Sequence, residues 1–117
     1  MKNNFKKNKY YNQKTSDGFD SKKEKQRYLQ LELMQKAGVI RCLAKQAPFL
    51  LVETFKDKQG NTERAIKYIA DFVYYDNEKK SFVIEDVKSP ITRKLPAYII
   101  KRKLVKKFNP DYLFLEI

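Results

Sequence analysis

The alternation of apolar and polar positions is clearest from Tyr68 to Lys88, which reads Y-I-A-D-F-V-Y-Y-D-N-E-K-K-S-F-V-I-E-D-V-K. Two runs of β-branched and aromatic residues flank a polar break at Asp76–Lys80, the pattern of a β-hairpin. A loop over Asn77–Lys80 pairs Asp76 with Ser81 and sets Asp71 opposite Asp86. Side chains alternate with period two, so Asp71, Asp86 and Lys88 share one sheet face. Glu85 then falls on the other face and reads as structural. A register shift of one residue would put it in place of Asp86. The first run is apolar on both faces, with Ile69 and Val73 on one and Ala70, Phe72 and Tyr74 on the other. Strands of that kind belong to a sheet covered by helices.

Upstream, Ser21-Lys22-Lys23-Glu24 has the form of a capping box and opens a helix over Lys22–Ala37. Leu29, Leu33 and Ala37, widened by Met34, form its expected apolar ridge. Glu24, Tyr28 and Leu31 lie along one side, and Gly38 stops the helix. Val39–Pro48 reads as a connector and Phe49–Phe55 as the first strand. A turn cluster in Lys56–Thr62 leads to a second strand, Arg64–Tyr75, and then a third, Ser81–Lys88. Ser89-Pro90 breaks the third strand. Lys94–Phe108 is the second expected helix, with Pro96 in its first turn and Tyr98, Leu104, Val105 and Phe108 as apolar contacts. Tyr112–Ile117 is a final strand. The expected class is α/β, in the order α-β-β-β-α-β, with a mixed sheet flanked by helices. Residues 1–20 show no period and read as a basic flexible arm; residues 21–117 read as one domain.

Composition narrows the chemistry. The chain of 117 residues contains no histidine, which removes Ser-His-Asp hydrolases, Cys-His proteases and histidine-ligated metal enzymes. Its three glycines, Gly18, Gly38 and Gly60, form no phosphate loop. One cysteine, Cys42, excludes an intramolecular disulfide and is expected to pack as a small apolar residue. No apolar run reaches membrane-spanning length, and the basic N-terminus has no apolar segment after it, so a soluble protein of the cytoplasm is expected.

The net charge of +12 is unevenly placed. Residues 1–30 carry nine basic and three acidic side chains, and residues 93–117 carry seven and two. Residues 31–92 are nearly balanced, at ten and nine. Basic flanks around an acidic hairpin end point to a polyanionic partner. Lys22 and Lys23 on the first helix, and Lys101, Arg102, Lys106 and Lys107 on the second, are the candidate phosphate contacts. None is evidence of base readout, so selection by shape or structure is the expected mode.

Two carboxylates and an ammonium at the end of an apolar hairpin suggest a metal site with a charged helper. The bland alternative is that Asp71 satisfies backbone donors while Asp86 and Lys88 form an ion pair. Asp71 followed by Asp86-Val87-Lys88 resembles the signature of the PD-(D/E)XK nuclease superfamily. The stretches Y-I-A-D-F-V-Y and V-I-E-D-V-K-S are similar to a small phage-encoded family related to Holliday-junction resolvases. The resemblance spans roughly residues 21–117. It implies a restriction-endonuclease-like core and Mg²⁺, or Mn²⁺, held by Asp71, Asp86 and the carbonyl of Val87. It also implies that Lys88 positions or activates the attacking water, and that Glu24 can join the site, a role that competes with its place in the capping box. The resemblance further implies an endonuclease acting on branched or structured DNA, as a homodimer in the resolvase version, in the host cytoplasm if phage-encoded. A non-catalytic nucleic-acid-binding or regulatory protein of the same fold is the alternative. A module directed at a host protein is a third reading.

Overall fold

A central antiparallel hairpin carries the rest of the structure, a computed structural model that describes residues 21–117. The expected arm over residues 1–20 lies outside the described residues. In chain order the elements are α1 (Lys22–Lys36), β1 (Ile40–Val52), β2 (Phe55–Lys56), β3 (Thr62–Glu63), β4 (Ile66–Asp76), β5 (Ser81–Asp86), α2 (Pro90–Arg93), α3 (Pro96–Phe108) and β6 (Leu113–Glu116). The main sheet has the order β1-β4-β5-β6. Its first two pairings are antiparallel and β5–β6 is parallel, so the sheet is mixed. β2 and β3 form a separate two-stranded ribbon. The class is therefore α/β, with helices flanking a mixed sheet. Among the described residues no helix is long and apolar enough to cross a membrane.

The hairpin register is the expected one: Asp76 pairs with Ser81 and Phe72 with Glu85. Asp76 builds the turn. Its Oδ1 accepts the N–H groups of Glu78 and Lys79, both at 2.9 Å, and Lys80 closes the loop at φ 56°. Ser21 caps α1 by accepting the Glu24 N–H at 3.1 Å, and Gly38, at φ +80°, follows its C-terminus. The β2–β3 turn is organised by Asp57, whose Oδ1 accepts the N–H groups of Gln59 and Asn61. These bonds, led by the one from Asn61, hold its carboxyl below the ordinary value.

Two apolar clusters sandwich the sheet. Leu31 of α1 packs with Ile40, Phe72, Tyr74, Val83 and Val87. Tyr98 and Val105 of α3 pack with Leu51, Tyr68, Ala70 and Ile84. Burying each large side chain contributes about 1.5–3 kcal/mol.

Several expectations are corrected. β1 begins at Ile40, so residues expected to be a connector belong to the edge strand, which carries a register shift between Arg41 and Ala44. Cys42 sits in that irregular segment at φ 60° and is exposed rather than packed. The ridge of α1 is also different. Leu29 and Leu33 are 49% and 65% exposed, whereas Leu31 is fully buried with Glu24 beside it on the inward face. That face carries polar groups with specific partners, so apolar periodicity pointed to the wrong side. The second expected helix is present as α3 but begins at Pro96 rather than Lys94, because Leu95 precedes a proline and stays extended, at ψ 129°; the short helix α2 before it was not expected.

β4 does not keep one alternation. Ala70 joins the α3-side cluster while Phe72 and Tyr74 join the α1-side cluster, and Ile69 is 46% exposed. The parity changes at Asp71. The residue facing it in the β1–β4 register, between the pairs Lys45–Phe72 and Ala47–Ala70, is Gln46. Gln46 takes φ 54°, the left-handed region, and breaks the pleat there.

Candidate functional site

The end of the β4–β5 hairpin brings Asp71, Asp86 and Lys88 together. The Asp71 N–H donates to Asp86 Oδ1 at 3.0 Å. In return, Asp71 Oδ2 accepts the Val87 N–H at 2.8 Å. Side chains thus replace the ladder bonds where the pleat breaks, and this turns both carboxylates to one spot. Lys88 Nζ lies 3.4 Å from Asp71 Oδ2 and 3.8 Å from Asp86 Oδ1. β6 fixes the segment that carries them: the Ile117 N–H donates to the Asp86 carbonyl at 2.8 Å, and the Lys88 N–H donates to the Ile117 carbonyl at 3.2 Å.

Burial sets the electrostatics. Asp71 is 3% exposed and Asp86 is fully buried. Loss of water pushes the Asp86 carboxyl above its ordinary value, and the Lys88 ammonium offsets only part of that rise. For Lys88, burial alone would lower the pKa, but the neighbouring charges of Asp86 and Asp71 outweigh it and the net shift is upward. Lys88 is therefore an ammonium at neutral pH.

Glu24 also belongs here. It is 2% exposed, its Oε2 accepts from Gln46 Nε2 at 2.9 Å, and its charge contributes to the raised pKa of Lys88. Its main-chain N–H meets the Ser21 hydroxyl, and its side chain accepts from Gln46. Val87 meets Asp71 through its N–H. Glu85 lies on the opposite face, as the register requires. It accepts Arg27 Nε at 2.6 Å, Arg27 Nη2 at 3.0 Å and the Tyr74 hydroxyl at 2.7 Å.

The candidate phosphate contacts are not equivalent. Lys101 lines a cleft that also borders Asp86 and Lys88. Arg102 is occupied, 3.5 Å from Glu116 and 5.7 Å from the centre of the Tyr98 ring. Lys106 lies 5.6 Å from the Phe114 ring centre. Lys107 and Lys22 are exposed. Lys23 donates to the Ile117 carbonyl at 3.2 Å, the same carbonyl that accepts the Lys88 N–H, which places it at the same sheet end as Lys88.

Three participants escaped the sequence reading. Gln46 gave no signal, since its role depends on a left-handed backbone. Glu116 pairs in register with Asp86, accepts the Tyr98 hydroxyl and raises the Asp86 pKa. Tyr98 was expected only as an apolar contact. A lone acid in the final apolar strand was the available hint for Glu116.

Whether a divalent ion suits this site is decided by Asp86 Oδ2, a buried oxygen with no hydrogen-bond partner. No group of three or more carboxylate or thiol side chains is arranged to hold an ion among the described residues. Mg²⁺ commonly takes only one or two carboxylates and retains waters, and two is the number Asp71 and Asp86 offer.

Fold and site together define an α/β protein with a mixed four-stranded sheet and a buried acid–lysine cluster at its hairpin end. The chain belongs to the family described as "Protein of unknown function (DUF1064)", whose model matches residues 2–115. No curated protein and no solved structure matches the chain.

Proposed function

We propose that this chain is a Mg²⁺-dependent endonuclease that hydrolyses phosphodiesters in branched or structured DNA, built on a restriction-endonuclease-like version of its α/β core. The observation that carries the reading is the meeting of two buried carboxylates and one ammonium where a buried carboxylate oxygen lacks a partner. In that reading Asp71 and Asp86 hold the ion, with the Val87 carbonyl as a further oxygen and Glu24 nearby. A bound divalent ion supplies a polarised phosphate and a water of lowered pKa. Lys88, held protonated by its acidic neighbours, positions the attacking water and neutralises charge as it develops. Lysines of α1 and α3 take the flanking phosphates. Resolution of a four-way junction would require a homodimer presenting two such sites. The reaction would take place in the cytoplasm.

One observation favours the non-catalytic alternative. Asp71 and Asp86 each accept a main-chain N–H from the other's strand, which gives both a structural purpose. The decisive experiment incubates the protein with labelled four-way junction, flap, single-stranded and linear duplex DNA, in Mg²⁺, Mn²⁺ or chelator. Metal-dependent cuts that disappear in Asp71→Asn and Lys88→Ala are the expected result. Binding with no cutting in any metal would establish the alternative.

A further inference from the structure

Lysine carries its charge on a long flexible stem, so a lysine that acts at one point needs its head held there. Lys88 is held from several sides. Its main-chain N–H donates to the Ile117 carbonyl at 3.2 Å. Its Nζ lies 3.4 Å from Asp71 Oδ2 and 3.8 Å from Asp86 Oδ1. A further contact is aromatic. Nζ stands over the Tyr98 ring, 5.8 Å from its centre, within reach of a cation–π attraction.

Tyr98 is itself fixed. It lies in the first turn of α3 and is buried in the cluster that contains Leu51, Ala70, Ile84 and Val105. Its hydroxyl donates to Glu116 Oε2, and Glu116 is in turn 3.5 Å from Arg102 and 3.7 Å from Arg93. The Arg102 guanidinium also lies 5.7 Å from the ring centre. Burial, then the bond to Glu116, hold the Tyr98 phenol above its ordinary value, so the hydroxyl remains a donor. The adjacent residues Glu116 and Ile117 thus fix both ends of Lys88: Ile117 its main chain, and Glu116, through Tyr98, its head.

We propose that Tyr98, aimed by Glu116, is a positioning residue that keeps the Lys88 ammonium beside Asp71 and Asp86. The inference rests on the nuclease reading for its consequence, since the two acids beside Lys88 are also the proposed ion ligands. A divalent cation on those carboxylates repels an ammonium at this range. The acids alone therefore hold Lys88 less firmly when the ion is bound. The ring is not an ion ligand, and its attraction for Lys88 persists. In this reading Tyr98 touches neither substrate nor attacking water and acts only through Lys88.

Two measurements on the full-length chain test it. In the first, NMR of protein labelled with ¹³C-lysine reads the ε-methylene of Lys88, assigned with Lys88→Arg. The ring should move this signal upfield of the exposed lysines. That shift should persist in Mg²⁺, vanish in Tyr98→Leu and survive in Tyr98→Phe. A native Lys88 signal at the position of the exposed lysines overturns the inference, whether or not the variants fold, and so does loss of the shift in Mg²⁺. In the second, cleavage of a four-way junction or flap is followed in the same variants. Tyr98→Leu should lower kcat about tenfold, within the range of a partly desolvated cation–π contact, with KM unchanged to within about twofold. Tyr98→Phe keeps the ring, and Glu116→Gln keeps an acceptor for its hydroxyl, so both should stay within about threefold of the native rate. A native kcat in Tyr98→Leu, or a Tyr98→Phe as slow as Tyr98→Leu, overturns the positioning role while leaving the nuclease intact. An upfield Lys88 signal with no cutting in any metal supports the positioning role and removes the nuclease.

Discussion

On one face of β5, Glu85 accepts three hydrogen bonds, two from Arg27 and one from Tyr74. One residue on, on the other face, Asp86 is equally buried but has an oxygen with no partner and a carboxyl pushed above its ordinary value by burial. Both are carboxylates at 0% exposure in the same strand. Glu85 is satisfied and serves as a clamp between α1 and the sheet. Asp86 is incompletely satisfied, since one buried oxygen has no partner. Completeness of partners, not burial, distinguishes Glu85 from Asp86.

The largest way to break this comparison is to strip the clamp. Arg27→Ala leaves Glu85 buried with only the Tyr74 hydroxyl as partner, and should cost about 3 kcal/mol, the low end for a broken buried pair because Arg27 keeps some contact with water. Urea unfolding measures it. A cost below about 1 kcal/mol would mean that Glu85 has other support. On the opposite face, Lys88→Ala should lower DNA cleavage about 100-fold or more, the scale of losing one donor to developing charge. A cleavage rate within a fewfold of the native protein would remove Lys88 from the reaction.

Asp86→Asn sharpens the contrast. The amide keeps an oxygen for the Asp71 N–H and sheds a buried charge, so stability should change by less than about 1 kcal/mol, or rise, while cleavage is lost. Marked destabilisation would instead make Asp86 a structural acid like Glu85. The smallest effect is alkaline. Burial first, and the hydrogen bond to Glu85 second, hold the Tyr74 phenol well above its ordinary value of 10.0. The folded protein therefore keeps this proton after the unfolded chain has lost it. The resulting stability is complete below pH 10 and declines as the pH rises toward the folded value. Tyrosinate absorbance should show a late-ionising phenol that Tyr74→Phe removes.

Much of the hairpin was legible in the chain. A four-residue loop between two apolar runs sets a register, and the register sets which residues face each other, so Asp71, Asp86 and Lys88 meet as expected. Glu85 fell on its predicted face for the same reason. The face of α1 was misread because Leu29 and Leu33 look like a ridge, while the buried side is held partly by polar contacts of Arg27 and Glu24 to distant residues. Apolar periodicity does not register such contacts. The strand over residues 40–48 was missed because it is an exposed edge with irregular register, where alternation is weak.

Local rules in the sequence determined the hairpin, its pairing, the cap of α1 and the short list of ionisable groups available for chemistry, since turns, caps and two-residue alternation depend on near neighbours. Tertiary structure alone decided that Gln46 would break the pleat opposite Asp71, that Glu116 would arrive beside Asp86 on a parallel strand, and that one acid of an adjacent pair would find every partner while the other did not. Those outcomes depend on which segments pack together across the sheet, and only the folded chain brings those segments into contact.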